Sequence, residues 1–308
     1  MNTETKLENF DDLWGLGNPI VIEKKFRELL PQAMALKDKS IYLQLLSQIA
    51  LTQALQKKFD DAHGTLNDAE KILTAEHDLA RVRILLERGR VFHQAGMVLQ
   101  QDEEITQAKV LFEQAYELGA KHQFDFHTIN AAHMVAIVSE KVEQKIEWNE
   151  IAIKLAEKTK DQKAHAWLGS LYNNLGQNFL EAKQFDSALV VLKKTLELRK
   201  KEGHAPNIRV AKWAIARTTR FLEQIDEALT LLNALIKEYD EISNNGNLDM
   251  PPEMFTMTRG LVYEELAETY NAKARVVSKL AYDDLSKDEM FRKTEPKRLE
   301  RLKEIQKL

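Results

Sequence analysis

The tightest group of side chains that could hold a metal ion or move a proton is His122, His127 and His133. Five and six residues separate them, so neither pair shares a helix face at the i, i+4 spacing a helical metal site uses. They read as isolated histidines. Paired carboxylates at Asp11-Asp12, Asp60-Asp61, Glu103-Glu104, Glu264-Glu265 and Asp283-Asp284 could serve acid–base chemistry. Most of them fall where helix starts or solvated faces place acids. Gly15-Leu16-Gly17 lacks the third glycine and the preceding strand of a phosphate loop, and no H-E-x-x-H, nucleophile elbow or EF-hand loop is present. There is no cysteine, which removes thiol catalysis, disulfides and cysteine-ligated zinc. The expectation is a chain that is not an enzyme and carries no cofactor and no metal.

The elements that would position any such residues are helices. Hydrophobic residues make up 44% of the 308 and charged ones 30%, a globular balance. Only 11 Gly and 6 Pro are present, which suits long helices joined by short turns better than a sheet with many tight ones. A net charge of −4 argues against nucleic acid as a partner of the whole chain. The polar N-terminus, Met1 to Lys6, carries no apolar signal core, and no window approaches a membrane span. These point to a cytoplasmic chain with no membrane partner.

One unit is written several times. Its clearest copy has apolar or small residues at Tyr172, Leu175, Gly176 and Phe179, a polar turn at Glu181-Ala182-Lys183-Gln184, and a second stripe at Phe185, Ala188, Leu189, Leu192, Thr195 and Leu196. Two amphipathic helices with almost no linker make a helical hairpin. The second stripe recurs at Ala62, Leu66 and Ala69, at Ala108, Phe112 and Ala115, and at Ala228, Leu232 and Leu235. Weaker copies run through Ile146, Asn149 and Ala152 and through Ala274, Ser278 and Ala281. The step between copies averages about 42 residues, in the range of helical repeat arrays.

The spacing of Tyr172, Leu175-Gly176, Phe179, Ala188, Leu192 and Thr195 resembles the tetratricopeptide consensus W-x2-L-G-x2-Y followed by A-x3-F-x2-A. Gly176 and Ala188 would be small because the two helices cross closely there. The step is longer than the family's usual one. It is similar to the extended repeats of kinesin light chains and of peptide-sensing bacterial regulators, and the family's closing proline is missing. The resemblance covers roughly residues 40–285. It implies an all-α, right-handed α-solenoid of about six hairpins with capping helices at both ends.

On that reading residues 1–40 form an N-terminal cap, built on Phe10, Leu13, Trp14, Phe26, Leu29 and Leu30. Residues 41–242 carry about five hairpins, and 243–252, with Pro251-Pro252, is a long loop or a hinge. Residues 253–285 are a last hairpin about six residues short, whose two helices could fuse into one rod. Residues 286–308 are a C-terminal cap with Leu299, Leu302, Ile305 and Leu308 on one stripe, or an amphipathic helix for a partner. The unit with Gly89 and Phe92 carries about seven extra residues before Ala108, so its turn bulges or its helices lengthen.

The resemblance also implies a working surface, since the first helix of each hairpin lines the concave face of a tetratricopeptide array. The phase set above puts Arg83, Arg90 and His93 there, then His127, Asn130 and Met134, then Asn173 and Gln177, then Trp213, Arg217 and Arg220. Glu264 and Glu268 follow. The central positions carry four arginines and no acid. Guanidinium forks and amides suit peptide backbones and carboxylates, and an aromatic ring supplies anchoring area. The expected partner is a protein or peptide with an acidic segment or a free C-terminal carboxylate, bound extended. Asn173 and Asn174 are similar to the asparagine of the family's carboxylate clamp, but Asn130 stands where the preceding repeat should supply a lysine.

Three functions remain open on the sequence. A non-catalytic interaction scaffold ranks first. A ligand-sensing regulator that changes superhelix shape ranks second, because that family adds an N-terminal module and only about 40 residues precede the first repeat here. A helical hydrolase would need a closed polar pocket with converging carboxylates.

Overall fold

The computed structural model describes Leu7 and residues 9–307. The expectations for Met1 to Lys6 and for Leu308 therefore concern residues outside those described. The chain divides into two compact units, Met1–Leu171 and Tyr172–Leu308. Among the described residues every regular element is a helix, and no helix is long and apolar enough to cross a membrane.

The first unit opens with a 3-10 segment, Phe10–Leu16, and a helix α1 (Pro19–Ala35). Three hairpins follow: α2 (Ser40–Leu55) with α3 (Phe59–Ile72), α4 (Asp78–Leu99) with α5 (Asp102–Lys121), and α6 (Asp125–Val138) with α7 (Val142–Lys158). A single turn, α8 (Gln162–His165), comes next. The second unit holds most of α9 (Leu168–Glu181) with α10 (Phe185–Glu202), and α11 (Ala205–Phe221) with α12 (Ile225–Asn245). It ends with α13 (Pro252–Leu285), α14 (Glu289–Thr294) and α15 (Pro296–Ile305).

The two helices of a hairpin are buried differently. In α2 Leu43, Leu45, Leu46, Ile49, Ala50 and Ala54 are buried together with Ser47, Gln48, Thr52 and Gln53, so the helix is enclosed almost all round. The second helices bury one stripe each. Ala62, Leu66 and Ala69, then Ala108, Phe112 and Ala115, then Ala188, Leu192 and Thr195, then Ala228, Leu232 and Leu235 are all buried. In α7 the weaker copy keeps Asn149 and Ala152 buried while Ile146 is only half-buried. A Cβ at Gly176 would sit 2.6 Å from Leu192 Cδ2, and one at Gly89 would sit 2.5 Å from Phe112 Cε1. Both glycines are therefore small for the reason the pattern implied.

The turns inside the hairpins share one device. Lys57, Lys183 and Glu223 sit in the left-handed region, with φ of 62°, 57° and 62°. In each, the next amide reaches back to the preceding helix: Lys58 N to Gln53 O at 2.9 Å, Gln184 N to Phe179 O at 2.8 Å, Gln224 N to Thr219 O at 3.1 Å. This closes the helix end with its last carbonyls satisfied. Acids then open the second helices, as at Asp60-Asp61, Asp186 and Asp226-Glu227, where the helix dipole favours them.

The extra residues of the second hairpin lengthen its helices and leave the turn tight. α4 and α5 run 22 and 20 residues, and only Gln100 and Gln101 join them. The stretch for which the sequence allowed a short hairpin or a rod is one helix of 34 residues. At the N-terminal end Phe10, Ile22, Phe26, Leu45 and Ile49 form one core, with the Trp14 ring edge-on to Phe26 at 5.8 Å. At the other end Leu299, Leu302 and Ile305 are half-buried, and α15 packs on α13.

Candidate functional site

The first unit frames a polar cavity of about 500 Å³. Its floor comes from the first helices of three successive hairpins, through Gln48 of α2, Arg83, Glu87 and Arg90 of α4, and His127 and Asn130 of α6. The 3-10 segment adds Asp11 and Trp14, and the start of α8 adds Asp161 and Lys163. Arg83, Glu87 and Arg90 stand at i, i+4 and i+7, so one face of α4 presents all three.

A polar ladder fixes these walls. Trp14 Nε1 donates to Gln48 Oε1 at 2.9 Å, and Gln48 Nε2 donates to Glu87 Oε1 at 3.1 Å. Arg90 Nη1 donates to both Glu87 oxygens at 2.8 and 2.7 Å, and its Nη2 donates to Asn130 Oδ1 at 2.7 Å. Beside the ladder, Arg83 forks onto Asp11 at 2.9 and 2.5 Å, with its guanidinium 5.0 Å from the Phe10 ring centre. Burial alone would raise the Asp11 pKa, but the Arg83 hydrogen bond and charge outweigh it and hold the carboxyl below its usual range. His127 is pushed down to about 3, first by burial and then by Arg83. His133 is pushed down to about 4, first by burial and then by Arg90. Both rings are neutral at pH 7. The Lys163 ammonium makes no hydrogen bond or ion pair among the described residues and is exposed.

The second unit repeats the theme. Arg209 of α11 is buried and forks onto Asp249 at 2.9 and 2.6 Å, with its guanidinium 5.0 Å from the Tyr239 ring. The Arg209 hydrogen bond holds Asp249 below the usual carboxylate range. Arg220 bonds the buried Glu265 of α13, and Arg217 Nε lies 3.6 Å from the other oxygen of that carboxylate. Arg217 is held 5.4 Å from the Trp213 ring and 5.7 Å from the Phe221 ring, and Phe185 stacks on Phe221 at 5.1 Å. Its side chain stays 38% exposed and its two terminal nitrogens have no hydrogen-bond partner among the described residues.

Of the residues singled out from sequence, Arg83, Arg90 and Asn130 meet in the one cavity, and His93 lies half-buried outside its lining. Trp213, Arg217 and Arg220 gather beside Glu265, with Trp213 Nε1 donating to Leu261 O at 3.2 Å. Asn173 and Gln177 are half-buried on α9, and their side chains make no hydrogen bond among the described residues. Sequence reasoning missed Glu87 and Asp249, and singled out Asp11 and Glu265 only as paired carboxylates, not as acids that take up the arginines. Glu87 was within reach, being on the Arg83–Arg90 face. The other three come from elements far away in sequence, and no local periodicity points to them.

No protein-family model matches the sequence, and no curated protein matches it. Solved structures do match its fold. A kinesin light chain fragment of nearly identical TPR-like repeats from Podosopora anserina is 19% identical, covering 65% of this chain and 95% of that one at a TM-score of 0.51. BtubC (BKLC) from P. vanneervenii is 14% identical over 82% of this chain and 95% of that one, at 0.58. The apo form of RapI is 14% identical over 88% of this chain and 98% of that one, at 0.54. The chain thus has the tetratricopeptide-type helical repeat fold.

Proposed function

We propose that this protein is a non-catalytic binding module that captures a protein or peptide segment on the first-helix faces of its hairpins. The observation that carries this reading is the cavity in the first unit. Three consecutive first helices share one hydrogen-bonded ladder there, which presets the walls before any ligand arrives. Its volume of about 500 Å³ suits a few residues of peptide, since ligand sites run from about 300 to 1,000 Å³. Asp11, Glu87 and Asp161 line it, yet none is poised as an acid or base. Asp11 and Glu87 are forked by arginines, and Asp161 accepts the Lys163 and Ala164 amides.

An acidic ligand would be read by the cationic nitrogens that no internal carboxylate occupies. Those are Lys163 at the rim in the first unit and the Arg217 terminal nitrogens in the second. Arg83 and Arg90 hold the shape of the cavity instead, and Arg209 and Arg220 that of the second unit's own face. A second reading, a regulator that responds to its ligand, draws on the two non-repeat pieces of the cavity wall. The 3-10 segment and α8 are small elements that a ligand could draw together.

A panel of acidic peptides with free and amidated C-termini tests the proposal by fluorescence anisotropy. Lys163→Glu and Arg217→Gln, which removes the two terminal nitrogens without setting a carboxylate beside Glu265, should each lose peptide binding while helical circular dichroism and melting stay unchanged. Arg220→Glu is an unsuitable control, because it would set a second carboxylate against the buried Glu265. Binding unchanged in both variants would place the working surface elsewhere.

A further inference from the structure

We infer that His127 reads the main chain of the ligand, pairing with a peptide amide on the floor of the first unit's cavity. The inference rests on the reading of that cavity as a peptide site and adds which part of the peptide the floor takes. Around His127 the polar groups of the floor are engaged with one another. Gln48, Glu87, Arg90 and Asn130 are joined in the ladder, and Arg83 is forked onto Asp11. The half-buried His127 ring lines the same cavity, yet it makes no hydrogen bond among the described residues. Its one ring contact is apolar, edge to face with Phe126 at 5.2 Å and 89°. Polar groups taken out of water are nearly always paired. A ring without an internal partner on the wall of a cavity is answered by what enters the cavity.

The surroundings of the ring decide what answers it. Arg83 and Arg90 of α4 bring positive charge to it, and Asp11 of the 3-10 segment and Asp161 at the start of α8 bring negative charge. Two charges of each sign surround it, so the spot favours neither a carboxylate nor an ammonium. Burial keeps the ring uncharged, with a pKa of about 3. An uncharged imidazole presents one donor and one acceptor. A carboxylate offers acceptors alone and an ammonium donors alone, so either would leave one ring nitrogen unanswered. The N–H and C=O of a peptide answer both. The acid of the ligand belongs at the rim instead, on Lys163. Once a peptide fills the cavity, water no longer reaches the ring, and a ligand lacking the amide leaves its nitrogens bare at a cost. His127 is thus a specificity-determining residue that selects peptides over other acids.

An octapeptide of alternating Glu and Ala, labelled with fluorescein and ending in a free carboxylate, is the probe, followed by anisotropy. His127→Phe keeps a ring against Phe126 but has no nitrogen. It should weaken binding at least about tenfold, while the free variant melts no lower than the wild type. His127→Gln restores a donor and an acceptor and should bind within about threefold of the wild type. Wild-type affinity should stay flat between about pH 6 and pH 8, where the ring takes up no proton. The same octapeptide N-methylated at every residue should lose affinity for the wild type, and should lose less for His127→Phe. Loss of binding with Lys163→Glu but not with His127→Phe would overturn this inference and leave the peptide reading standing. Equal loss with Phe and Gln, or a lower melting point for free His127→Phe, would make the ring a structural support and overturn it as well. No binding of the octapeptide by the wild type would overturn both.

Discussion

Asp11 and Arg83 are 72 residues apart in sequence and meet as a two-bond fork at 2.9 and 2.5 Å. The arginine is buried and the aspartate side chain is 45% exposed. The pair therefore ties the 3-10 segment to α4 at the edge of the cavity. Asp11→Ala should lower stability by about 2 kcal/mol, because it leaves a buried guanidinium unpaired. This is below the 3–5 kcal/mol of a fully buried pair, since water can reach the vacated side. Denaturant unfolding of the variant measures it. The carboxyl pKa is lowered in the folded state, so its contribution is present above the unfolded value near 4 and is lost as pH falls below that value through the folded one.

The neutral histidines set a second pH dependence. His133 has a folded pKa of about 4 against 6.5 for the free ring, so the unfolded chain takes up its proton first as pH drops. Stability should be full above pH 6.5 and decline from there toward pH 4, by on the order of 3 kcal/mol from this residue. His127, lowered to about 3, extends the decline further into acid. Replacing both by Gln should flatten the stability profile between pH 4 and 6.5, as read from urea midpoints at each pH.

Two glycines should respond to the same substitution with opposite signs. Gly89→Ala drives a methyl into the Phe112 ring, which is fully buried and cannot retreat. The cost should be about 1–3 kcal/mol. Gly64, in the middle of α3, has nothing within 4 Å of its would-be Cβ. Gly64→Ala should gain about 0.5–1 kcal/mol from helix propensity. Thermal melts of the two variants distinguish a packing glycine from a permissive one.

The hairpin turns offer a stabilising change. Lys183 and Glu223 hold positive φ with side chains that disfavour it. Lys183→Gly and Glu223→Gly should each raise stability by about 0.5–1 kcal/mol, the relief of strain exceeding the added entropy of the unfolded chain. A lower melting point for either would mean that the side chain, and not the backbone, closes the turn.

The hairpins were legible because their signal is local. Ala188, Leu192 and Thr195 stand at helical spacing, and Gly176 marks the crossing that Leu192 fills. The fate of the extra residues before Ala108 was not legible. It turned on whether Gln100 could adopt a left-handed turn and let α4 and α5 lengthen together. The faces carrying Arg83, Arg90 and Arg217 could also be read from helical phase. Their occupancy could not, because Asp249 reaches Arg209 across 40 residues and Glu265 reaches Arg220 across 45. A single sequence holds no record of such pairings.

Those internal pairings have a further effect on what the protein ignores. A surface of bare guanidinium groups adsorbs polyanions indiscriminately, RNA and anionic lipid alike, at a strength that grows with each uncovered charge. Here Arg83, Arg90, Arg209 and Arg220 are not bare: Asp11, Glu87, Asp249 and Glu265 each neutralise one of them from within. Each is a tethered counter-ion that salt cannot wash away and that a passing polyanion must displace. Loss of any one of them would thus be a gain of stickiness as much as a loss of stability.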